Sequence, residues 1–349
     1  MRRFDYSFLH DISVDIDMVS SVMNIERLRE RDRNRIERFP KTYFGMMDAA
    51  KIQSVFGSNA IEGIITTDGR LKDICERKVK PVGHDELAIA GYRDALDLVH
   101  TSFKDLPIDT QTIRSLHRIM MSYTDEDGGE WKDHDNIIGQ RLSDGRIVVH
   151  FRPLSAEETP DAMEQLILAY READQDPTIL DILLIPCFIL DFLSIHPFMD
   201  GNGRMSRLLT LLLMYKKGYD VGKYVSIEQM IYKNRPDYYD SLTSSSKDWI
   251  EGRNDYIPFI RNFIGTIFLC YKELDRRFAK SVGTKGNKTD RIEYAVMNSL
   301  LPISKKELCQ NLPDISEAMI VNVLGRLIQE GRIKKVGAGP STRYIRSEE

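Results

Sequence analysis

One short segment, residues 196–207, gathers most of the residue types in this chain that could act on a phosphate ester. Gly201, Asn202 and Gly203 are residue types that tolerate a positive φ and let a backbone approach a ligand closely. They stand where a predicted helix begins, so its first N–H groups and its positive dipole end face the same space. The pattern therefore predicts a backbone nest for phosphate groups.

Charged residues surround this predicted nest. Arg204 and Arg207 are three positions apart on the helix, and two neighbouring guanidinium groups suit a polyphosphate. Asp200 precedes the nest, and a carboxylate beside phosphates is repelled unless a cation lies between them, which indicates Mg²⁺. His196 lies four residues before Asp200 and can accept a proton near neutral pH. Together they predict a nucleotide-phosphate site with a general base.

Taken singly, these residues have simpler explanations, because a histidine before a proline is usually structural and paired arginines are usually solvated. Their order within twelve residues, however, resembles the core motif of the Fic family, His-x-Phe-x-Asp-Gly-Asn-Gly-Arg-x-x-Arg, at all of its fixed positions. Members of that family typically transfer AMP from ATP to a protein hydroxyl. The resemblance implies a Mg²⁺-dependent adenylyltransferase that modifies a Ser, Thr or Tyr of a target protein, with the chain itself as one candidate target.

The resemblance also implies a role for each position. His196 would deprotonate the target hydroxyl and Asp200 would hold Mg²⁺. Arg204 would steady the α- and β-phosphates, and Arg207 would meet the γ-phosphate. Relatives that phosphorylate carry a lysine at the position of Gly203, so this glycine favours nucleotidyl transfer. The anion hole would be formed by three residues: Gly201, Asn202 and Gly203.

A second segment resembles the inhibitory motif of the same family, Ser/Thr-x-x-x-Glu-Gly/Asn. Ser58 and Glu62 lie four apart near the end of a helix predicted over about residues 43–63, so they share a face. The resemblance implies that Glu62 reaches Arg207, which cannot hold a carboxylate and a γ-phosphate at once. A reacting group misplaced by about 1 Å can cost around a hundredfold in rate. We therefore expect self-inhibition, and as a hypothesis Glu62 also positions a water that removes the modification.

Two predicted elements position this machinery. Residues 178–195 are nearly all apolar, and a helix that is hydrophobic all round belongs at the centre of a bundle. It delivers His196. Short β-branched runs within residues 124–153, separated by Ser143-Asp144-Gly145, predict a β-hairpin. In the Fic family such a hairpin, called the flap, docks the target segment by main-chain pairing, whereas a plain surface hairpin is the alternative here.

The nucleotide base and the C-terminal tail carry weaker signals. Tyr239 is the candidate for stacking on adenine, with ordinary buried packing as the alternative. Beyond a linker over residues 281–289, three helical patterns and a small hairpin match a winged helix-turn-helix. Residues 288–346 carry ten Lys or Arg and six Asp or Glu, which is compatible with DNA contact. The predicted recognition helix, however, has only Arg326 as a basic residue, so DNA binding and protein docking both stay open.

Composition bounds the remaining classes. The chain has 349 residues and a formal net charge of −4, and 42% of its residues are hydrophobic, as in an ordinary globular protein. Four widely separated cysteines fit free thiols in a reducing cytosol. The longest apolar stretch, residues 182–190, is too short to span a membrane. We therefore expect a cytoplasmic protein without a membrane partner.

The predicted fold is mainly α, a Fic-type helical bundle with a β-hairpin flap and a C-terminal winged helix-turn-helix domain. The predicted domains are an N-terminal helical region (1–100), a catalytic core (101–280), the linker (281–289) and the winged helix (290–349). One alternative is a DNA-binding regulator whose core only senses a nucleotide. Another is transfer of a different group, such as UMP or phosphocholine. The sequence leaves the target, the nucleotide preference, the activating signal and homo-oligomer formation open.

Overall fold

A computed structural model describes residues 2–141, 147–282, 288–297, 299, 302–337, 339 and 342–347. The described chain is mainly helical, with two small antiparallel sheets. The helices are α1 (Ile16–Arg38), α2 (Pro40–Ile61), α3 (Asp68–Cys75), α4 (Gly83–Ser102), α5 (Thr110–Met121), α6 (Thr159–Asp174), α7 (Asp181–Ile195), α8 (Asn202–Lys216), α9 (Ile227–Lys233), α10 (Arg235–Ser246), α11 (Ile257–Val282), α12 (Lys288–Met297), α13 (Lys305–Asn311) and α14 (Glu317–Gln329). The strands are β1 (Ile138–Arg141), β2 (Ile147–Phe151), β3 (Ile303–Ser304), β4 (Ile333–Val336) and β5 (Arg343–Arg346).

Helices α7 and α8 form the centre of the main bundle. Every residue of α7 after Asp181 is buried, as the all-round apolar sequence predicts. Helix α8 is buried along nearly its whole length, from Asn202 to Tyr215. The two helices pack against each other and against their neighbours on all sides, so the loop that joins them rests on a rigid support.

Helix α1 carries the alternating charges of residues 26–38, but it is not fully exposed to solvent. It begins earlier, where the Asp15 side chain accepts a hydrogen bond from the Met18 N–H. One face packs on α11 and buries Ile25 and Leu28. Asp32 is also buried, and its carboxylate accepts a hydrogen bond from the Tyr43 hydroxyl at 2.7 Å. The charged residues in the sequence of α1 therefore indicate only its solvent-exposed face.

Helix α2, predicted over about residues 43–63, packs tightly on α9 through a glycine. A Cβ added at Gly57 would lie 2.6 Å from the backbone N of Gln229, so no larger residue fits between these two helices. Beside this contact, the Ser54 hydroxyl donates to the buried carboxylate of Glu228 at 2.7 Å. The hydroxyl of Tyr92 on α4 donates to the same carboxylate at 3.2 Å. The last turns of α2 are therefore fixed to the bundle.

A short helix begins within the polar residues 66–69. Helix α3 starts at Asp68 and buries Leu71 and Ile74. Such a short amphipathic turn gives too weak a periodic signal to be recognised. The segment 224–245 contains two helices, because α9 ends and α10 begins on either side of Asn234.

The hairpin predicted within residues 124–153 is present as β1 and β2, which pair antiparallel with an irregularity between Ile138 and Gly139. Its predicted turn, Ser143-Asp144-Gly145, lies outside the described residues. Within the described part of the chain, no helix is both long and apolar enough to cross a bilayer.

The C-terminal helices α12, α13 and α14 enclose a second hydrophobic cluster, separate from the main core. Strands β4 and β5 form the predicted hairpin, and β3 adds a third strand that the sequence did not indicate, giving the order β3-β5-β4. A capping box between Ser304 and Glu307 begins α13. The predicted linker is shorter than 281–289, because α11 runs to Val282 and α12 begins at Lys288; residues 283–287 lie outside the description.

Candidate functional site

His196 sits directly after the last turn of α7 in a left-handed conformation, with φ 53° and ψ 60°. Its backbone N–H donates to the Phe192 carbonyl at 3.0 Å, and its Nδ1 lies 3.2 Å from the Leu193 carbonyl. Because a carbonyl can only accept, Nδ1 carries the hydrogen and Nε2 of the neutral ring keeps a lone pair. Burial lowers the pKa of His196 to about 4, so the ring is neutral at pH 7.

The loop after His196 is braced by its own asparagine. The Asn202 Oδ1 accepts from the Phe198 N–H at 2.9 Å, and the Asn202 Nδ2 donates to the Phe198 carbonyl at 2.8 Å. Gly201 then adopts φ 77°, which a glycine accommodates without strain, and α8 begins. The predicted glycine-rich turn into a helix is therefore present at the N-terminus of α8.

His117 on α5 joins this loop to the segment before the hairpin, a role that the sequence did not reveal. The Gly129 N–H donates to its Nδ1 at 2.9 Å, so the hydrogen is on Nε2, which lies 3.1 Å from the Asp200 carbonyl. The ring stacks on Phe198, with centroids 3.7 Å apart. Both ring nitrogens of His117 are thus hydrogen-bonded to the backbone. Only the three-dimensional neighbours show what it braces.

Arg204 lies in the first turn of α8, and its guanidinium group is buried beside Asp200. Its Nη2 donates to the Asp200 Oδ2 at 2.7 Å. Its Nε and Nη1 are buried without a hydrogen-bond partner among the described residues. Buried N–H groups without partners are costly, and a charged one more so. An anionic ligand that reached these two nitrogen atoms would complete the guanidinium's hydrogen bonds.

Arg207, one helical turn further along α8, is hydrogen-bonded to the end of α2. Its Nε donates to the Ser58 hydroxyl at 2.8 Å, and its Nη2 donates to the Ser58 carbonyl at 2.9 Å. The same Nη2 donates to Glu62 Oε1 at 2.7 Å. The arginine is buried, whereas the Glu62 side chain is 33% exposed. The two sequence segments singled out above thus meet in space.

The Glu62 carboxylate also covers the glycine of the phosphate loop. A Cβ built on Gly203 would overlap Glu62 Oε1 and would come within 3.4 Å of Arg207 Nη1. Gly203 itself lies inside helix α8, so its lack of a side chain matters here for space and not for backbone freedom. In this arrangement the Glu62 carboxylate fills volume at the N-terminus of α8 that a bound anion would need.

The two tyrosines of α10 differ in position. Tyr238 is buried, and Tyr239 is 37% exposed with the Arg235 guanidinium 5.7 Å from its ring centroid. Tyr239 is therefore the more accessible of the two rings, and stacking on a base requires an accessible ring. Its role in binding adenine stays a prediction.

Asp200 was predicted to hold Mg²⁺, and its carboxylate is 59% exposed beside the phosphate loop. No group of three or more His, Cys, Asp or Glu among the described residues could hold a metal by itself. A single carboxylate nevertheless fits Mg²⁺, because that ion usually takes one or two protein carboxylates together with substrate phosphates and water. The unpaired nitrogens of the neighbouring Arg204 fit the same phosphate-bearing ligand.

This arrangement of helices and loop defines the Fic fold, and solved structures share it. A Fic family protein from Desulfovibrio desulfuricans G20 aligns with a TM-score of 0.60 at 18% sequence identity, covering 97% of this chain and 98% of that one. A Fic domain containing signaling protein from Bacteroides thetaiotaomicron VPI-5482 also aligns with a TM-score of 0.60, at 21% identity over 71% of this chain and 95% of that one.

Residues 107–214 match the model of the Fic/DOC family, so the chain contains a Fic domain and the resemblance inferred from its motif is confirmed. Among curated proteins, the Protein adenylyltransferase Fic of Nematostella vectensis is 26% identical over 251 residues, which cover 68% of this chain and 52% of that protein. The Drosophila melanogaster protein of the same name is 26% identical over 180 residues, 49% of this chain and 33% of that protein. The chain thus spans about half or less of these two relatives.

Proposed function

We propose that this chain is a self-inhibited protein adenylyltransferase that moves AMP from ATP to a hydroxyl side chain of a protein target. The observation that carries the proposal is the pairing of a neutral imidazole at His196 with the uncommitted guanidinium N–H groups of Arg204 beside a helix N-terminus. His196 directly precedes the loop that leads into α8, and Arg204 lies in the first turn of that helix, so a proton acceptor and a cation flank one short loop. The names of the curated relatives support the same chemistry.

In the proposed reaction, Nε2 of His196 accepts the proton of a target Ser, Thr or Tyr hydroxyl. The freed oxygen forms a bond to the α-phosphorus of ATP, the bond from that phosphorus to the bridging β-phosphate oxygen breaks, and pyrophosphate leaves. The Nδ1–H bond to the Leu193 carbonyl fixes the tautomer that makes this possible. Arg204 and the first N–H groups of α8 stabilise the charge that develops on the phosphate oxygens.

Mg²⁺ would be held by Asp200 together with the substrate phosphates, and it would neutralise charge on the leaving pyrophosphate. The Asp200 carboxylate is oriented by its 2.7 Å hydrogen bond from Arg204. The backbone of Asp200 is oriented by His117. The chain thus fixes both the metal-binding carboxylate and the phosphate-binding guanidinium through one short network.

Self-inhibition is proposed because the Glu62 carboxylate contacts two parts of the proposed nucleotide site. It engages Arg207, which would bind the γ-phosphate, and it covers Gly203. ATP that binds over this carboxylate would be displaced from the alignment that in-line attack requires. The hypothesis that Glu62 also positions a water for removal of AMP rests on the same proximity. Comparing AMP release from modified target by the wild type and by Glu62→Gly tests it, since equal release would remove that role.

The C-terminal unit is proposed to be a winged helix that contacts protein and not DNA. Three basic residues of α14 and the hairpin are paired within the unit, since Arg326 and Arg332 both pair with Glu293 and Arg343 pairs with Glu307. Phosphate contact would have to break these pairs. The proposed domain boundaries keep residues 1–100, 101–280 and 290–349 as units, and DNA binding and homo-oligomer formation stay untested predictions.

The test uses intact-mass spectrometry after incubation with ATP and Mg²⁺, with Glu62→Gly as the active form. We expect Glu62→Gly to gain one AMP on itself or on an added protein target, and the double variant Glu62→Gly/His196→Ala to gain none. Tight ATP binding without any covalent product would instead support the nucleotide-sensing regulator. Parallel incubations with UTP and with a phosphocholine donor test transfer of another group.

A further inference from the structure

Lys132, in the segment before the hairpin, carries a buried ammonium group whose side chain the sequence gave no reason to place in the site. The residue is 3% exposed. Its Nζ donates to the Ile195 carbonyl at 3.0 Å, to Asn136 Oδ1 at 3.1 Å and to the Leu154 carbonyl at 2.5 Å. An ammonium has three donors, so all of them are used, and all go to neutral oxygens.

These contacts bracket His196. The ammonium of Lys132 holds the carbonyl of Ile195, and its backbone N–H donates to the Pro197 carbonyl at 2.9 Å. One residue therefore holds the main chain immediately before and immediately after the histidine. Asn136, four residues further on, donates to the next carbonyl, that of Phe198, at 3.1 Å. The segment 132–136 thus follows the main chain of the catalytic loop for three residues.

The main chain at His196 needs such support. A left-handed conformation is unfavourable for a residue with a Cβ, and it persists only where the surroundings fix it. Helix α7 also ends there, and its last carbonyls lack partners within the helix. A cation at a helix C-terminus satisfies those carbonyls and interacts favourably with the helix dipole. Lys132 meets both needs with one side chain.

We propose that Lys132 is a positioning residue for His196 and that it couples this base to both ends of the β1–β2 hairpin. Asn136 precedes β1 and Leu154 follows β2, so the ammonium joins the two hairpin ends to the residue before His196. A protein segment held on the hairpin is thereby placed at a fixed distance from the imidazole. The kinetic part of this inference rests on the proposed adenylyltransferase activity.

Charge supports the same role. Burial lowers the pKa of Lys132 to about 8, so the ammonium form still predominates at pH 7. Its positive charge, second to the desolvation of the ring, contributes to the lowered pKa of His196. The lysine thus helps to keep the imidazole unprotonated as well as in place.

The kinetic test compares Lys132→Met and Lys132→Arg in the Glu62→Gly background. We expect Lys132→Met to lower kcat at least tenfold while the Kd for ATP stays within about twofold, since the phosphate loop begins beyond the bracketed residues. Lys132→Arg, which keeps a cation, is expected to recover part of kcat. The matched control is Lys217→Met, because Lys217 pairs with Asp174 and Asp181 away from these contacts and its loss should leave kcat unchanged. An unchanged kcat in Lys132→Met, or an equal loss of ATP affinity, would overturn the proposal.

A second readout does not depend on transfer. In protein with ¹⁵N-labelled histidine rings, Lys132→Met should shift the signal of His196, assigned through His196→Ala, and leave that of the exposed His84 unchanged. If the parent variant transfers no AMP, the proposed function fails while this measurement still decides the positioning role.

Should Lys132→Met not fold, Asn136→Ala provides the test, because it removes one acceptor of the ammonium and the donor to Phe198. A smaller loss of kcat with a shifted His196 signal is then expected. An unaltered signal together with an unaltered kcat would overturn the proposal.

Discussion

The carboxylate of Glu62 and the guanidinium of Arg207 form a 2.7 Å ion pair in which the arginine is buried and the glutamate is one-third exposed. The exposed partner is therefore the one that can leave. Arg207 keeps its two bonds to Ser58 if Glu62 moves, so it stays in place and its Nη2 regains a free N–H direction. Movement of the Glu62 side chain alone would therefore break the ion pair while Arg207 stays in place.

The first prediction separates the charge of Glu62 from its bulk. Glu62→Gly removes both, and we expect the AMP transfer rate to rise at least tenfold. Glu62→Gln keeps the shape but replaces a charge-assisted bond, which is roughly twice as strong as a neutral one, so an intermediate rise of about threefold is expected. Transfer rates at saturating ATP measure both. Glu126→Gly, at an exposed loop position, is the control and should match the wild type; equal rates for all variants would contradict the inhibitory role.

The second prediction concerns the space above Gly203. Gly203→Ala would place a methyl group where Glu62 Oε1 now lies, in the volume proposed for phosphate. In the Glu62→Gly background, where no carboxylate is left to clash, we expect the Kd for ATP to rise at least tenfold. Calorimetric titration with ATP and Mg²⁺ measures it.

Gly265→Ala is the matched control for that helix glycine, because nothing lies within 4 Å of a Cβ at Gly265. It should leave ATP affinity unchanged. If Gly203→Ala binds ATP as tightly as its parent, the phosphates do not approach α8 at this residue.

The third prediction tests Asp200 as the Mg²⁺ ligand. Asp200→Asn keeps the size of the side chain but removes its charge, so the Mg²⁺ concentration for half-maximal transfer should rise at least tenfold. The measurement is a Mg²⁺ titration of Glu62→Gly with and without Asp200→Asn. Asp161→Asn, at an exposed position in the first turn of α6, should not move the midpoint. An identical midpoint for Asp200→Asn would place the metal elsewhere.

The fourth prediction concerns acid stability. Burial lowers the pKa of three histidines, His100, His117 and His196, to about 4 each. As the pH falls below about 6.5, these histidines therefore gain protons in the unfolded chain while they stay neutral in the folded chain. The free energy of unfolding should fall as the pH drops from about 6.5 to 4, by about 1.4 kcal/mol per pH unit for each proton.

His100 offers a way to remove one of these protons. Its Nε2 is buried without a hydrogen-bond partner among the described residues, and its ring lies 5.5 Å from that of Tyr215. His100→Phe should reduce the pH dependence of urea unfolding by about one proton between pH 4.5 and 6. His84→Ala, at an exposed position, provides the comparison and should leave the slope unchanged. A slope unaffected by His100→Phe would mean that this ring is already protonated in the folded state.

The sequence predicted those parts of the site that are contiguous or share a helix face. The order of residues from His196 to Arg207 gave the loop, the helix start and the two arginines, and the family match bears out the resemblance. The apolar run before His196 predicted its buried support. The end of α2 was singled out through Ser58 and Glu62 because their spacing is a short motif. The chemical roles of all these residues stay predictions.

The parts that the sequence did not reveal depend on long-range contacts. His117 and Lys132 lie about 60 to 80 residues before the loop they brace, and nothing in their local spacing indicates a partner there. Lys132 in particular was not predicted to be buried, because a lysine is usually solvated. Helix α3 was missed since its few apolar residues form too short a pattern, and the buried face of α1 was hidden by its many charges.

The close approach of α2 and α9 at Gly57 limits how the contact between Glu62 and Arg207 can be broken. With no room for a Cβ between the two helices, and with Ser54 bonded to the buried Glu228, the helix that precedes Glu62 is part of the scaffold and has little freedom to move away. If the contact between α2 and α9 is kept, the segment left to move is the final turn, from Glu62 to Gly63. The chain leaves the helix at Gly63, which has a φ of 80°. Only a few atoms around Glu62 would need to move, so a ligand or partner that contacts this turn would be enough to displace its carboxylate from Arg207.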